Sequence, residues 1–395
     1  MIRNVRRSSL LLAILATGCG ERGASPDPVA VARTDTLPDG RIEVSNTGVP
    51  TWDEETPWRL VEDLRLGGAE DPEDPEQFSF IGDLIADGEG RIYVLETLSP
   101  SVRVFDPSGA HLYTVGTEGE GPGELLRPAG LMLSPDGELW VADPGTRRFS
   151  VFDRQGGLVA TRPRPTFRQV DPWSGRFLGD GTLLDWQLDF PAEEPGTVAG
   201  SRIHFVPIRI SADMGRVDTL PPFAFRQDML RDGSRPVVFF DNGLAVFADR
   251  AGATWFVETR EYRIGRRALS GDTVLTFTLA AEPEPVAEVD REVVRERVGP
   301  ERAGAYLESL PPTKPVVVDL FADDAGHLFV LPEVAGVAAG SAIDVFTEQG
   351  RYMGRMALPR PISTRVRPFA TREHLYVLEL DELDVPYVSR LRIVR

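Results

Sequence analysis

Four carboxylates recur at one place in a repeating pattern: Tyr93-Val-Leu-Glu96, Trp140-Val-Ala-Asp143, Trp255-Phe-Val-Glu258 and Tyr376-Val-Leu-Glu379. Asp185 and Glu333 are looser equivalents. If the repeating units are related by rotation, these acids share a height on one face. Two kinds of chemistry follow from that placement. A ring of carboxylates suits a hard cation such as calcium, or attracts a basic ligand. Alternatively, each acid accepts hydrogen bonds from the adjoining loop and locks one unit to the next. The loops expected on the same face carry Arg147, Arg148, Arg260, Tyr262, Asp381, Glu382, Asp384 and Tyr387. The candidate binding face is therefore Glu96, Asp143, Arg147, Arg148, Asp185, Glu258, Arg260, Glu379, Asp381 and Tyr387.

Other chemistries lack their residues. The four histidines, His111, His204, His327 and His374, have no metal-ligand spacing. No Gly-x-Ser-x-Gly elbow occurs. Gly116, Gly119, Gly121 and Gly123 look like a phosphate cradle, but no Lys-Ser/Thr follows, and Lys314 is the only lysine. No helix-forming segment follows them either, which removes the dinucleotide fingerprint. No catalytic residue is assigned, the metal is unknown, and no cofactor is expected beyond calcium as a candidate.

The elements that must position these residues repeat as well. Arg91-Ile-Tyr-Val-Leu-Glu96 with Val102-Arg-Val-Phe-Asp-Pro-Ser-Gly109 returns as Glu138-Leu-Trp-Val-Ala-Asp143 with Phe149-Ser-Val-Phe-Asp-Arg-Gln-Gly156. Further copies begin at Ala253, His327 and His374, and a degenerate one runs from Gly181. Each copy reads as four short strands joined by Asp- and Gly-bearing turns, as in Asp87-Gly-Glu-Gly90 and Asp323-Asp-Ala-Gly326. Six such units are the pattern of a β-propeller. The expected fold is all-β, a six-bladed β-propeller of four-stranded antiparallel blades. Trp58–Leu66 alternates as a strand and should close the last blade, beside Leu391 to Val394. Val289, Val293, Val294 and Val298 form a helical stripe, so a short helical insertion is expected between blades 4 and 5. Gly116–Gly130 becomes a blade-to-blade connection. Trp140, Trp255, Tyr93, Phe329 and Tyr376 should pack between blades, whereas Trp173 and Trp186 are freer to be exposed, the first place to seek a carbohydrate.

Asp136-Gly-Glu-Leu-Trp-Val-Ala-Asp143 with Phe149-Ser-Val-Phe-Asp153, preceded by Gly121-Pro-Gly-Glu124, resembles the NHL-type repeat. The chain from about residue 58 resembles six-bladed β-propeller lipoproteins of bacteria. That likeness speaks to fold; propellers host binding modules, lyases, lactonases and dehydrogenases alike.

The amino terminus reads as a processing segment. Arg3, Arg6 and Arg7 precede a brief apolar run, Leu10 to Ala16, too short to span a bilayer. Ala16-Thr-Gly-Cys19 resembles a bacterial lipobox and ends on the chain's only cysteine, Cys19, the expected lipidation site. Residues 1–18 are then a lipoprotein signal peptide, 19–51 a flexible tether, and 52–395 the propeller. The net charge of −18 repels nucleic acid. The expected partners are a membrane, reached through the lipid anchor, and a protein, peptide or carbohydrate ligand. The expected location is exported and lipid-anchored, at the outer membrane or facing the periplasm. Function is expected to be ligand binding or scaffolding, with a divalent-metal-dependent lyase or lactonase as the alternative.

Overall fold

A tight turn repeats along the chain, and one side-chain oxygen explains it. Asp87 Oδ1 accepts the N–H of Glu89 and of Arg91, both at 2.9 Å. Asp249 does the same for Ala251 and Ala253, and Asp323 for Ala325 and His327. Asp106 and Asp153 cap the later turn of their units identically. Each aspartate thus satisfies two N–H groups that the reversing chain leaves unpaired.

The computed structural model describes residues 31–53, 55–69, 71, 73–165, 173, 175–191, 202–227, 230, 239–240 and 242–395. The strands form six sheets, and each is one blade. The inner strands are Ile81–Ala86, Gly130–Leu133, Arg176–Phe177, Leu244–Ala248, Val317–Ala322 and Phe369–Ala370. The second strands, antiparallel to them, are Ile92–Glu96, Leu139–Asp143, Leu183–Asp189, Thr254–Glu258, Leu328–Pro332 and His374–Leu380. Six apolar clusters fill the wedges between successive blades. Trp140, Trp255, Tyr93, Phe329 and Tyr376 all lie in them, as expected. Trp173 and Trp186 do too, at 7% and 0% exposure, which corrects the expectation that they stand free. Trp186 fills the wedge between blades three and four, 5.9 Å from Phe223, and Trp173 donates to Asp185 at 2.7 Å.

The ring closes as the sequence requires. Arg59–Gly67 pairs antiparallel with Pro386–Val394, from Gly67 opposite Tyr387 to Arg59 opposite Val394, and completes blade six. The expected helical insertion is α1 (Glu288–Val298) and α2 (Pro300–Ser309). Val294 and Tyr306 pack beneath it with Leu230, while Val289 and Val293 remain exposed, so the valine stripe is only partly used. Lys314 ties α1 to blade five, with Nζ 2.8 Å from Asp290 and 3.5 Å from Glu333.

The glycine-rich segment joins the outer strand His111–Val115 to the inner strand Gly130–Leu133. Gly119 has φ 153°, and Glu124 folds back to accept the Gly121 N–H at 2.6 Å. A β-carbon on Gly130 would overlap the Trp173 ring, so this glycine lets the neighbouring connection pack down.

The region expected as a tether is different from residue 32 onward. Ala32–Thr36 and Ile42–Asn46 form a hairpin, and Ile42–Asn46 runs parallel to the outer strand Thr273–Leu279 of blade four. Asn46 Nδ2 donates to Thr278 and Gly350 carbonyls, and its Oδ1 accepts the Tyr352 N–H at 2.9 Å. Blade four therefore has six strands. Blade three departs as well: Val217–Thr219 and Phe223–Arg226 share the edge of the long strand Arg202–Ile210.

Candidate functional site

Each acid of the proposed ring sits at the end of a second strand, and there most of them turn inward. Glu96 is fully buried and accepts the N–H groups of Ser79 and Phe80. Burial pushes its pKa up, against the pull of those two N–H groups. Asp143, also fully buried, accepts from Leu126 at 2.8 Å and from Arg127, Gly145 and Thr146. Asp185 holds Arg164 in a fork, 2.8 and 3.0 Å, besides the Trp173 indole. Glu379 receives Arg360 at 2.7 Å, with Arg65 3.5 Å away. Glu333 faces Lys314. Apart from Gly145 and Thr146, which lie in the turn that follows Asp143, these partners lie on the outer-to-inner connection entering that blade or on the closing strand. These carboxylates are inter-blade clamps. Glu258 is exposed, and in its blade Thr259 replaces it, its hydroxyl accepting the Gly243 N–H at 2.9 Å.

The remaining candidates on that face divide. Arg148 grips the carbonyls of Glu120, Gly121 and Glu124 in the glycine-rich connection. Arg260 donates to the Phe240 carbonyl. Asp381 caps its own turn through Leu383 and Val385, contacts that lower its pKa, and Tyr387 lies under Arg65 at 3.8 Å. Arg147 is exposed, with φ 55°. The face gathers these residues but uses most of their polar atoms internally. Cys19 lies outside the described residues.

A second site, not anticipated, occupies the axis. Inner strands of blades one to four and six line a cavity of about 520 Å³. It reaches the first turns at Gly88, Pro135, Gly179 and Arg250. Ile81 pairs with Glu96 and Ala86 with Ile92, so those turns lie at the opposite end of the inner strands from the clamps. Ile85, Met132, Phe177, Phe247 and Phe369 supply apolar wall.

Its charged lining is Asp83, Asp87, Arg154, Arg176, Arg250 and Arg367, the last held from behind by Asp319. Asp83 follows a bulge at Gly82 and accepts the N–H of Leu84 and, across to blade two, of Leu131 at 2.7 Å. Burial pushes its pKa up to about 6, with those N–H groups and Arg367 opposing. Asp319 stands at the equivalent bulge of blade five and binds Arg367 in a fork, 2.8 and 2.7 Å. Arg176 donates through Nη1 to the Ala248 carbonyl and lies 5.1 Å over Phe247. Its Nε is out of reach of solvent and has no partner among the described residues. Burial, then the charge of Arg250, pushes its pKa down to about 10. Sequence reading passed over these residues because inner strands read as plain apolar runs. The signal was present in part: Asp83 and Asp319 each interrupt such a run with a charge.

Among the described residues, no three or more His, Cys, Asp or Glu groups are placed to hold a metal ion. No helix there is long and apolar enough to cross a membrane.

Residues 78–165 match the family DUF5128, described as a 6-bladed beta-propeller. NHL repeat-containing protein 3 of Homo sapiens is 30% identical over 113 residues, 28% of this chain and 33% of that protein. The chain thus spans about a third of the length of the curated relatives it matches. A crystallised protein from Bacteroides fragilis overlays with a TM-score of 0.53 at 12% identity, covering 89% of this chain and all (100%) of that one. A DUF4221 family member from Bacteroides vulgatus gives 0.50 at 12% identity over 87% of this chain and 100% of its own. At such identity the likeness is one of fold. Six sheets closed by the amino-terminal strand make this chain a six-bladed β-propeller, similar over part of its length to a protein that contains NHL repeats.

Proposed function

We propose that this propeller is an exported binding module, anchored by lipid at Cys19, that takes a small ligand in its axial cavity. The observation that carries the reading is the cavity itself. At about 520 Å³ it falls within the range of small-molecule sites, roughly 300–1,000 Å³, and joins apolar walls to a few polar groups. The acidic face at the other end of the strands supports it less, since its carboxylates already clamp the connections between blades. The metal-dependent lyase or lactonase reading calls for a carboxylate or histidine cluster and gains no support from the described residues. Calcium has no evident seat there for the same reason.

Two experiments test the two halves. Gly88 lies at the cavity mouth, and a β-carbon built on it meets nothing within 4 Å. Gly88→Trp should fold normally and close the mouth. Ligand-observed NMR of a small-fragment panel should show binders that this variant loses. A panel without binders, or binders that Gly88→Trp retains, overturns the cavity reading. For the anchor, cells fed labelled palmitate should label the wild type in the membrane fraction and leave Cys19→Ser unlabelled. An unlabelled wild type removes the anchor and leaves the cavity reading intact.

A further inference from the structure

Three arginines turned toward the interior meet carboxylates: Arg164 meets Asp185, Arg355 meets Asp344, and Arg367 meets Asp319. Arg176 does not. Among the described residues, its one side-chain hydrogen bond goes to the Ala248 carbonyl, and its Nε has no acceptor. Arg250 lines the same cavity, exposed, with no ion pair of its guanidinium among the described residues. Two cationic side chains therefore line one cavity; of the carboxylates that also line it, Asp87 caps its own turn and accepts from the Tyr93 hydroxyl. Asp249, the nearest carboxylate by sequence, is spent: Arg266 binds it at 2.6 Å and its other oxygen caps the turn. A buried donor without an acceptor is costly, and a guanidinium matches a planar oxyanion with two parallel hydrogen bonds.

We infer that the axial cavity seats the carboxylate of a small amphipathic anion between Arg176 and Arg250, with its apolar body against Phe247, Phe369 and Met132. This rests on the cavity being the ligand seat and names the ligand's chemistry. The net charge of −18 does not oppose it decisively. Exposed charges beyond about 8 Å are largely screened at physiological salt, whereas the two arginines would act at contact. Asp83, further along the cavity, is engaged by two backbone N–H groups, and the apolar walls fall between it and the mouth.

The test compares octanoate with octanamide, two probes of one shape that differ in charge, by titration calorimetry at physiological salt. Octanoate should bind about tenfold tighter or better, as hydrogen bonds to a charged group require. Arg250 is exposed, so Arg250→Glu should keep the melting transition, remove the preference for octanoate, and leave octanamide unchanged. Arg176→Gln should weaken octanoate similarly; its fold is checked by circular dichroism, and Arg250→Glu decides if it fails to fold. Equal affinity for both probes overturns the anion and leaves the cavity reading standing, provided Gly88→Trp blocks both. A preference for octanoate that survives Arg250→Glu places the anion elsewhere and overturns the inference. Absence of binding by either probe overturns it as well, and the fragment panel then decides the cavity reading separately.

Discussion

Among single residues, Asp83 carries the clearest prediction. Its folded pKa, about 6, stands above the ordinary 3.8 because burial disfavours the carboxylate, while Leu84, Leu131 and Arg367 only partly compensate. The folded state therefore holds the proton more tightly than the unfolded one, and stability from this group is fullest below the unfolded value. It declines as pH rises through about 6. The difference amounts to at most about 3 kcal/mol, less because the side chain is partly exposed. Arg367 is already paired with Asp319, so little else facing Asp83 titrates in that window. Urea unfolding across pH 4 to 7 should show the wild type losing stability relative to Asp83→Asn; parallel profiles would refute this. The residue also shows what the sequence made legible. Gly82-Asp83-Leu84-Ile85-Ala86 and Val318-Asp319-Leu320-Phe321-Ala322 place an acid at one position of two inner strands. The acids after the second strands were conspicuous because aromatic residues frame them. These were not, because a bulge rather than a turn brings them to the axis. The conspicuous set proved to be clamps, a role that depends on loop N–H groups which no residue identity announces.

Among the elements, the two amino-terminal segments make a contrast that deletion can read. Arg59–Gly67 was legible as a closing strand because it alternates and because six blades leave one edge unmatched. The hairpin Ala32–Thr36/Ile42–Asn46 was read as a tether from its Gly, Pro and Asp content. Its signal, Pro38-Asp39-Gly40 between short alternating stretches, is too brief to outweigh that composition. The structure gives the two unlike roles. The closing strand completes a four-stranded blade and joins the ends of the ring, whereas the hairpin is added outside an already complete blade. Removing residues 52–68 should abolish the cooperative melting transition, since blade six loses its outer strand and the ring its clasp. Removing residues 31–47 should lower the midpoint while leaving one transition, because Val44 and the Asn46 hydrogen bonds to blades four and five are lost but closure is not. Differential scanning calorimetry distinguishes the two, and a sharp transition in the first variant refutes the clasp.

At the level of the whole molecule, closure decides how damage spreads. In an open array of repeats each unit touches only its neighbours, and stability is nearly a sum of local terms. Here the six wedges form a ring, so opening one leaves every blade still held on at least one side. The sequence made this architecture readable because its period survives even where blade three drifts. The identity of each wedge was not readable, since packing partners lie in different repeats. Phe346 is the sharpest probe. It is fully buried between blades four and five, 4.6 Å from Phe277 and 5.3 Å from Tyr352 by ring centroid. Phe346→Ala should cost about 3–5 kcal/mol, the usual penalty for emptying an aromatic site in a core. For a chain of this size that corresponds to roughly 4–7 °C in the melting midpoint. If the ring unfolds as one unit, the calorimetric peak shifts whole and stays single. If blades four and five form a separable half, the peak splits, with one component unmoved. A split would show that the toroid is closed in geometry without being closed in energy, and the wedges would then have to be treated as independent cores.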